Sequence, residues 1–165
     1  MEDFPLNQPI APQKAAAPTI LIVDDEPDIL ESLGDLFSAA LDPIQIATAP
    51  SGDAALRVLA EKPIDLIVSD YKMPGMNGLQ FLEKARALAP QVPRVLMTAF
   101  PDLEIAIAAI NDARIETFFT KPLDPDKIVA VVKKALEERR AKGQRDQAMA
   151  RALDAARRKA AGGSP

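Results

Sequence analysis

The sequence predicts an α/β protein: a parallel sheet of five strands with helices covering both faces. Three observations carry this. Five short apolar runs lie between Thr19 and Lys121, and they show little internal alternation, as strands covered on both faces require. Between them, apolar residues recur at helical spacing. The two patterns alternate five times in about 120 residues, the order that gives parallel strands joined by right-handed crossovers.

In chain order, the strand runs are TILIV ending at Asp24-Asp25, a weaker IQIAT (44–48), IDLIVS (64–69) ending at Asp70, RVLMT ending at Thr98, and IETFFT (115–120) ending at Lys121. The first helical pattern holds Ile29, Leu30, Leu33, Leu36 and Phe37. The second holds Ala55, Leu56 and Leu59, led by Ser51, and the third Leu79, Leu82, Ala85 and Leu88, led by Asn77. The fourth holds Leu103, Ala106, Ile107 and Ile110, led by Asp102. The fifth holds Ile128, Val131, Val132, Ala135 and Leu136, with Asp124 and Pro125 as start signals. Ile105, Ala108 and Ala109 make the other side of the fourth helix apolar as well, which suits either Ala-rich propensity or a binding face.

Residues 1–18 carry Pro5, Pro9, Pro12 and Pro18 with little to bury, and read as a disordered or extended arm. After Leu136 the chain is rich in Ala, Arg, Lys, Glu and Gln, which favours helix. The fifth helix is expected to reach about residue 142, or about 160 if it passes Gly143. The organisation is thus an arm over 1–18, a folded domain over 19–140 and a basic helical or frayed tail over 141–165. The tail has no sustained heptad, and forty residues cannot hold a usual winged-helix or helix-turn-helix domain.

Composition excludes several classes. The 165 residues include no Cys, so no disulfide framework or thiolate zinc site can form. They include no His, which removes the usual general base and the commonest metal ligand. No apolar run approaches the roughly 18–20 residues of a membrane span. MEDFPLNQPIAPQK lacks the pattern of a secretory signal. The expected location is cytoplasmic. Residues 1–125 carry a net charge of −10 and residues 126–165 carry +6, so the body is not expected to bind nucleic acid.

In an open parallel sheet, ligands bind beyond the carboxyl ends of the strands. Here those ends carry Asp24, Asp25, Asp70, Thr98 and Lys121, from four strands. A hydrophobic core does not call for that set. Three clustered carboxylates repel one another unless a cation joins them, and oxygen donors point to Mg²⁺ or Mn²⁺. An Asp carboxylate is a competent nucleophile toward phosphorus. A Lys ammonium and a divalent ion neutralise phosphoryl oxygens, and a Thr hydroxyl donates to one. Taken singly, the same residues have plainer readings. Asp24-Asp25 also suits a helix N-cap, Thr98 a strand, Lys121 a surface site and Phe118 the core. Met73, Pro74, Gly75 and Gly78 suit turn geometry.

Four blocks, ILIVDDEPDIL, DLIVSDYKMPGMNGLQFL, VLMTA and FFTKP, together resemble the receiver domain of two-component response regulators over roughly residues 19–140. The resemblance implies the flavodoxin-like doubly wound fold with strand order 2-1-3-4-5, followed here by an extended C-terminal helix. It implies phosphorylation of Asp70 by a histidine kinase or phosphotransfer protein. It implies metal binding by Asp25, by Asp24 through water, by Asp70 and by the backbone carbonyl of Lys72. Thr98 matches the switch hydroxyl, Ala99 the small residue beside it, and Lys121 the phosphate-pairing lysine, followed by a cis bond to Pro122. Phe118 matches an aromatic that turns inward on activation. Phe100 and Lys72 stand where the family tunes phosphate lifetime, and a bulky Phe100 would shield the acyl phosphate. Arg114-Ile115 depart from the family's usual Gly-Ala, and Leu123 follows Lys-Pro where one subset has Trp.

The function expected is a phosphorylation-switched signalling module. Its fourth helix, fifth strand and fifth helix present a surface to an effector protein or to a second copy in a homodimer. The module is not expected to be an enzyme beyond slow self-dephosphorylation. The alternatives are a phosphorylation-independent interaction module of the same fold, or the N-terminal part of a larger regulator.

Overall fold

The apolar run Thr19–Val23 forms β1, buried from Ile20 onward. β1 lies between β2 (Gln45–Ala49) and β3 (Leu66–Asp70), and β4 (Arg94–Thr98) and β5 (Thr117–Thr120) follow on the β3 side. All pairings are parallel and the order is β2-β1-β3-β4-β5, as expected. The computed structural model describes residues 16–99, 102, 111, 113–115 and 117–162. Most of the Pro-rich arm, Phe100 and the fourth helical pattern over 103–110 therefore lie outside the described residues.

Helices α1 (Pro27–Ala40), α2 (Gly52–Glu61), α3 (Gly78–Leu88) and α4 (Pro125–Ala161) cover the sheet. Alternate residues of each strand feed two cores. Leu21, Val23, Ile67 and Leu96 pack with Ala55 of α2 and with Phe81, Leu82 and Ala85 of α3. Ile20, Ile22, Val68, Val95 and Met97 pack with Leu33 and Phe37 of α1 and with Ile128 and Val132 of α4. The interiors of the central strands are mostly apolar because both of their faces are covered.

The helix starts follow local chemistry. The Ser51 hydroxyl accepts from the Ala54 N–H at 3.2 Å. Asn77 and Gln80 form a reciprocal capping box at 2.9 and 3.0 Å. Asp124 accepts from the N–H groups of Asp126 and Lys127, with Pro125 in the first turn. α1 differs: Glu26, not Asp24 or Asp25, stands at the N-cap position and makes no side-chain cap bond, while Asp24 Oδ1 accepts from the Glu26 N–H.

Two arginines organise the ends of the sheet. Arg94, 3% exposed, donates to the carbonyls of Val92, Ala113 and Arg114 and so fixes the entry to β5. Arg114 sits at φ 45°, in the left-handed region. At the amino edge, Arg139 of α4 donates to Asp65 Oδ1 at 3.3 Å, to the Gln91 carbonyl at 2.9 Å and to the Ile64 carbonyl at 3.4 Å. The other Asp65 oxygen accepts from the Thr19 N–H at 2.9 Å, and Lys142 donates to Gln91 Oε1 at 2.6 Å. α4 passes this clamp and Gly143 without a break and continues to Ala161.

Candidate functional site

At the opposite edge, the strands deliver the polar residues expected of them. β1 runs into Asp24, which is fully buried, and then Asp25, which is exposed. β3 ends on Asp70, 5% exposed, and β4 on Thr98, 1% exposed. Lys121 follows β5, and its peptide bond to Pro122 is cis. Carboxylate oxygens of Asp24, Asp25 and Asp70 lie within 4.8 Å of one another. Lys121 Nζ lies 2.9 Å from Asp70 Oδ1 and 3.5 Å from Asp24 Oδ2. The second oxygen of Asp24 accepts from the Glu26 N–H at 2.9 Å.

Backbone bonds hold this arrangement. The Tyr71 N–H donates to the Met97 carbonyl at 2.8 Å, and the Lys121 N–H to the Thr98 carbonyl at 2.7 Å, carrying the ladder past the strand ends. The β3–α3 loop folds back on Asp70, where the Gly78 N–H donates to the Tyr71 carbonyl at 2.7 Å. A Cβ at Gly78 would collide with the Asp70 carbonyl oxygen, so only glycine permits this approach. Gly75, at φ +75°, supplies the turn.

The electrostatics are unbalanced. Burial pushes the Asp70 carboxyl above its ordinary value. The Lys121 hydrogen bond opposes this without cancelling it, and the Asp24 charge adds to it. Burial also works against the Lys121 charge, but the Asp70 hydrogen bond and the charges of Asp24 and Asp70 outweigh it and hold that pKa above the usual lysine value. In this cluster of described residues, the three carboxylates and the Lys121 ammonium sum to a charge of about −2. Hard oxygen donors with that residual charge fit a divalent cation such as Mg²⁺ or Mn²⁺.

The remaining expected site residues lie around this cluster. Lys72 lies exposed on the β3–α3 loop, two residues past Asp70, and Ala99 is exposed beside Thr98. Phe118 is half-buried in β5, opposite Leu96, against the core that holds Leu21 and Ala113.

Residues 20–133 match the family described as the response regulator receiver domain. The chain belongs to that family. This receiver domain is 34% identical over 119 residues to the transcriptional regulatory protein GlrR of Escherichia coli, covering 72% of this chain and 26% of that protein. It is 32% identical over 119 residues to the hydrogenase transcriptional regulatory protein HoxA of Cupriavidus necator, with 72% and 24% covered. The chain thus spans about a quarter of the length of these relatives. Among solved structures, the signal receiver domain of an HD domain-containing protein from Pseudomonas fluorescens superposes with a TM-score of 0.72 at 32% identity, covering 76% of this chain and 98% of that one. A CheY-like receiver domain protein from Methanospirillum hungatei gives 0.72 at 27% identity, with 77% and 99% covered. Receiver domains are regulatory modules of two-component systems and not enzymes in the ordinary sense. Among the described residues, no helix is long and apolar enough to cross a membrane.

Most of the site was visible in the sequence, because each residue ends an apolar run. The role of Glu26 was not, since an acidic pair before a helix suggests the pair itself as the cap. Nor was the Asp42–Pro43 cis bond, an Asp-Pro step in an ordinary-looking loop.

Proposed function

We propose that this receiver domain accepts a phosphoryl group on Asp70 from a histidine kinase or phosphotransfer protein, and that the modification switches a protein–protein surface. The observation that carries this is the buried Asp70 carboxylate with Lys121 Nζ at 2.9 Å and two further carboxylates within 4.8 Å. Asp24, Asp25, Asp70 and the Lys72 carbonyl would hold Mg²⁺, which when bound supplies positive charge beside the phosphoryl oxygens.

Asp70 Oδ forms the new bond to phosphorus as the bond from phosphorus to the donor's leaving group breaks. Lys121 moves its hydrogen bond from Asp70 to a phosphoryl oxygen and keeps its proton. The Thr98 hydroxyl turns to donate to another. The space Thr98 leaves at the end of β4 favours an inward position of Phe118 on β5, and the β5–α4 surface shifts toward a partner. Such a shift is worth only the difference in contacts between the two states. Phosphoryl transfer proceeds on this chain itself, with slow self-dephosphorylation and no external substrate. The chain acts as the receiver portion of a larger regulator, as in the longer relatives, or alone through protein contacts.

Intact mass after incubation with Mg²⁺ and acetyl phosphate tests this, comparing wild type with Asp70→Asn. A labile phosphoryl adduct on wild type only is expected, and EDTA should abolish it. No adduct on folded, metal-loaded protein would replace this reading with a phosphorylation-independent interaction module.

A further inference from the structure

Among the described residues, Lys142, bonded to Gln91 Oε1, is the last residue of α4 with a hydrogen bond or ion pair to another element. Every residue from Arg140 through Gly162 is exposed. Helices of this length draw most of their stability from a packed face. Yet Met149 and Leu153, four residues apart on one stripe, are 68% and 57% exposed. The rest of the circumference is basic: residues 139–161 hold eight Lys and Arg against two acids.

The same molecule carries the complement. Between Lys14 and Arg57 there are eight Asp and Glu and no Lys or Arg. Asp28, Glu31 and Asp35 of α1 follow one another at spacings of three and four, which puts them on one stripe, and all three are exposed. Among the described residues, none of the ion pairs involves them. Among the described residues, no ion pair joins the two surfaces within one chain. Arg139 and Lys142 hold α4 to Asp65 and Gln91 at the amino edge, and the helix runs on from there, away from its own domain.

We propose that the basic end of α4 docks along the acidic outer face of α1 in a second copy of this chain. The contact is reciprocal, so that a two-fold axis closes the dimer. The lengths suit this: α1 is about 21 Å long and residues 140–161 about 33 Å, at 1.5 Å per residue. The docked helix stands beside the segment that carries Asp24 and Asp25 and narrows the approach to Asp70. Assembly and access by a phosphodonor protein then compete, and ionic strength sets the balance.

Light scattering and sedimentation of the full chain test this at about 0.1 M and about 1 M salt, between which the screening length falls from about 10 Å to about 3 Å. Two double variants accompany wild type: Glu31→Lys with Asp35→Lys, and Arg151→Glu with Arg158→Glu. All four side chains are exposed, so the fold is retained. Wild type is expected to dimerise at low salt, with the dissociation constant rising by about tenfold or more at high salt. The α1 variant alone should be monomeric, and the tail variant alone should associate more weakly than wild type. An equimolar mixture of the two should associate more tightly than either alone, because the unaltered basic tail of one variant then meets the unaltered acidic α1 of the other. The proposal is overturned by a monomeric wild type at low salt. It is equally overturned by a dimer that ignores both salt and the α1 reversal, which would assign the contact to the Met149–Leu153 stripe alone. Binding of duplex DNA by a chain that stays monomeric would overturn it too.

Discussion

The two edges of the sheet solve the same electrostatic problem in opposite ways. At the amino edge, one guanidinium meets one carboxylate and two carbonyls, and the second Asp65 oxygen is taken by the Thr19 N–H. At the carboxyl edge, three carboxylates cluster, Lys121 pairs with two of them, and Asp70 is held above its ordinary pKa. The first arrangement is balanced and serves stability. The second leaves negative charge unmatched, which weakens the metal-free fold and fits the site to a divalent cation.

The largest stability effect should come from breaking the balanced edge. Arg139→Ala removes charge-assisted bonds to Asp65, Ile64 and Gln91 from a side chain 28% exposed, and should lower unfolding free energy by about 1–3 kcal/mol in urea titrations. The unbalanced edge should respond with the opposite sign. Asp70→Asn removes a buried charge, so the metal-free variant should melt above wild type at pH 7. The pH dependence follows from the raised folded pKa: the Asp70 contribution is most favourable below 3.8 and is lost as pH rises through the folded value. Lys121, also raised, contributes stability below 10.5 that disappears as pH climbs through its folded value, and Asp70→Asn should shrink that loss. Scanning calorimetry in EDTA across pH checks both. A saturating divalent ion should reverse the order of wild type and variant, since a ligand at about 100 times its Kd adds about 2.7 kcal/mol to the form that binds it. The smallest effect belongs to Asp124, where α4 leaves the carboxyl edge. Hydrogen bonding from the Lys127 N–H holds this exposed carboxyl below 3.8. Its contribution is present above 3.8 and lost as pH falls through the lowered folded value. Asp124→Ala should therefore melt slightly below wild type at pH 7, with the gap closing in strong acid.

Much of this contrast could be read from the sequence, but unequally. Asp70, Thr98 and Lys121 announce themselves because each ends an apolar run, and the carboxyl ends of parallel strands share one edge by topology. Arg139 gives no such signal. In EERRAK it looks like a solvated charge, and only the distance folded between residues 65, 91 and 139 makes it a clamp. Arg94 opens RVLMT as an ordinary first strand residue, yet it is buried and bonded to the carbonyls before β5. The strand limits moved by one or two residues, to 45–49 and 66–70, where pairing rather than hydrophobicity decides the end. The fifth helix ran to its longer expected limit, since one exposed glycine costs only about 1 kcal/mol relative to alanine.

The clamp on α4 also has a mechanical meaning. It acts as a fulcrum. On one side, residues 125–139 form a short arm of about 22 Å whose start adjoins Pro122 and Lys121; on the other, residues 140–161 form a long arm of about 33 Å. A rigid rod pivoting there would magnify displacement about one and a half times. A 1 Å adjustment beside Lys121 then becomes a sweep of about 1.5 Å at the far tip.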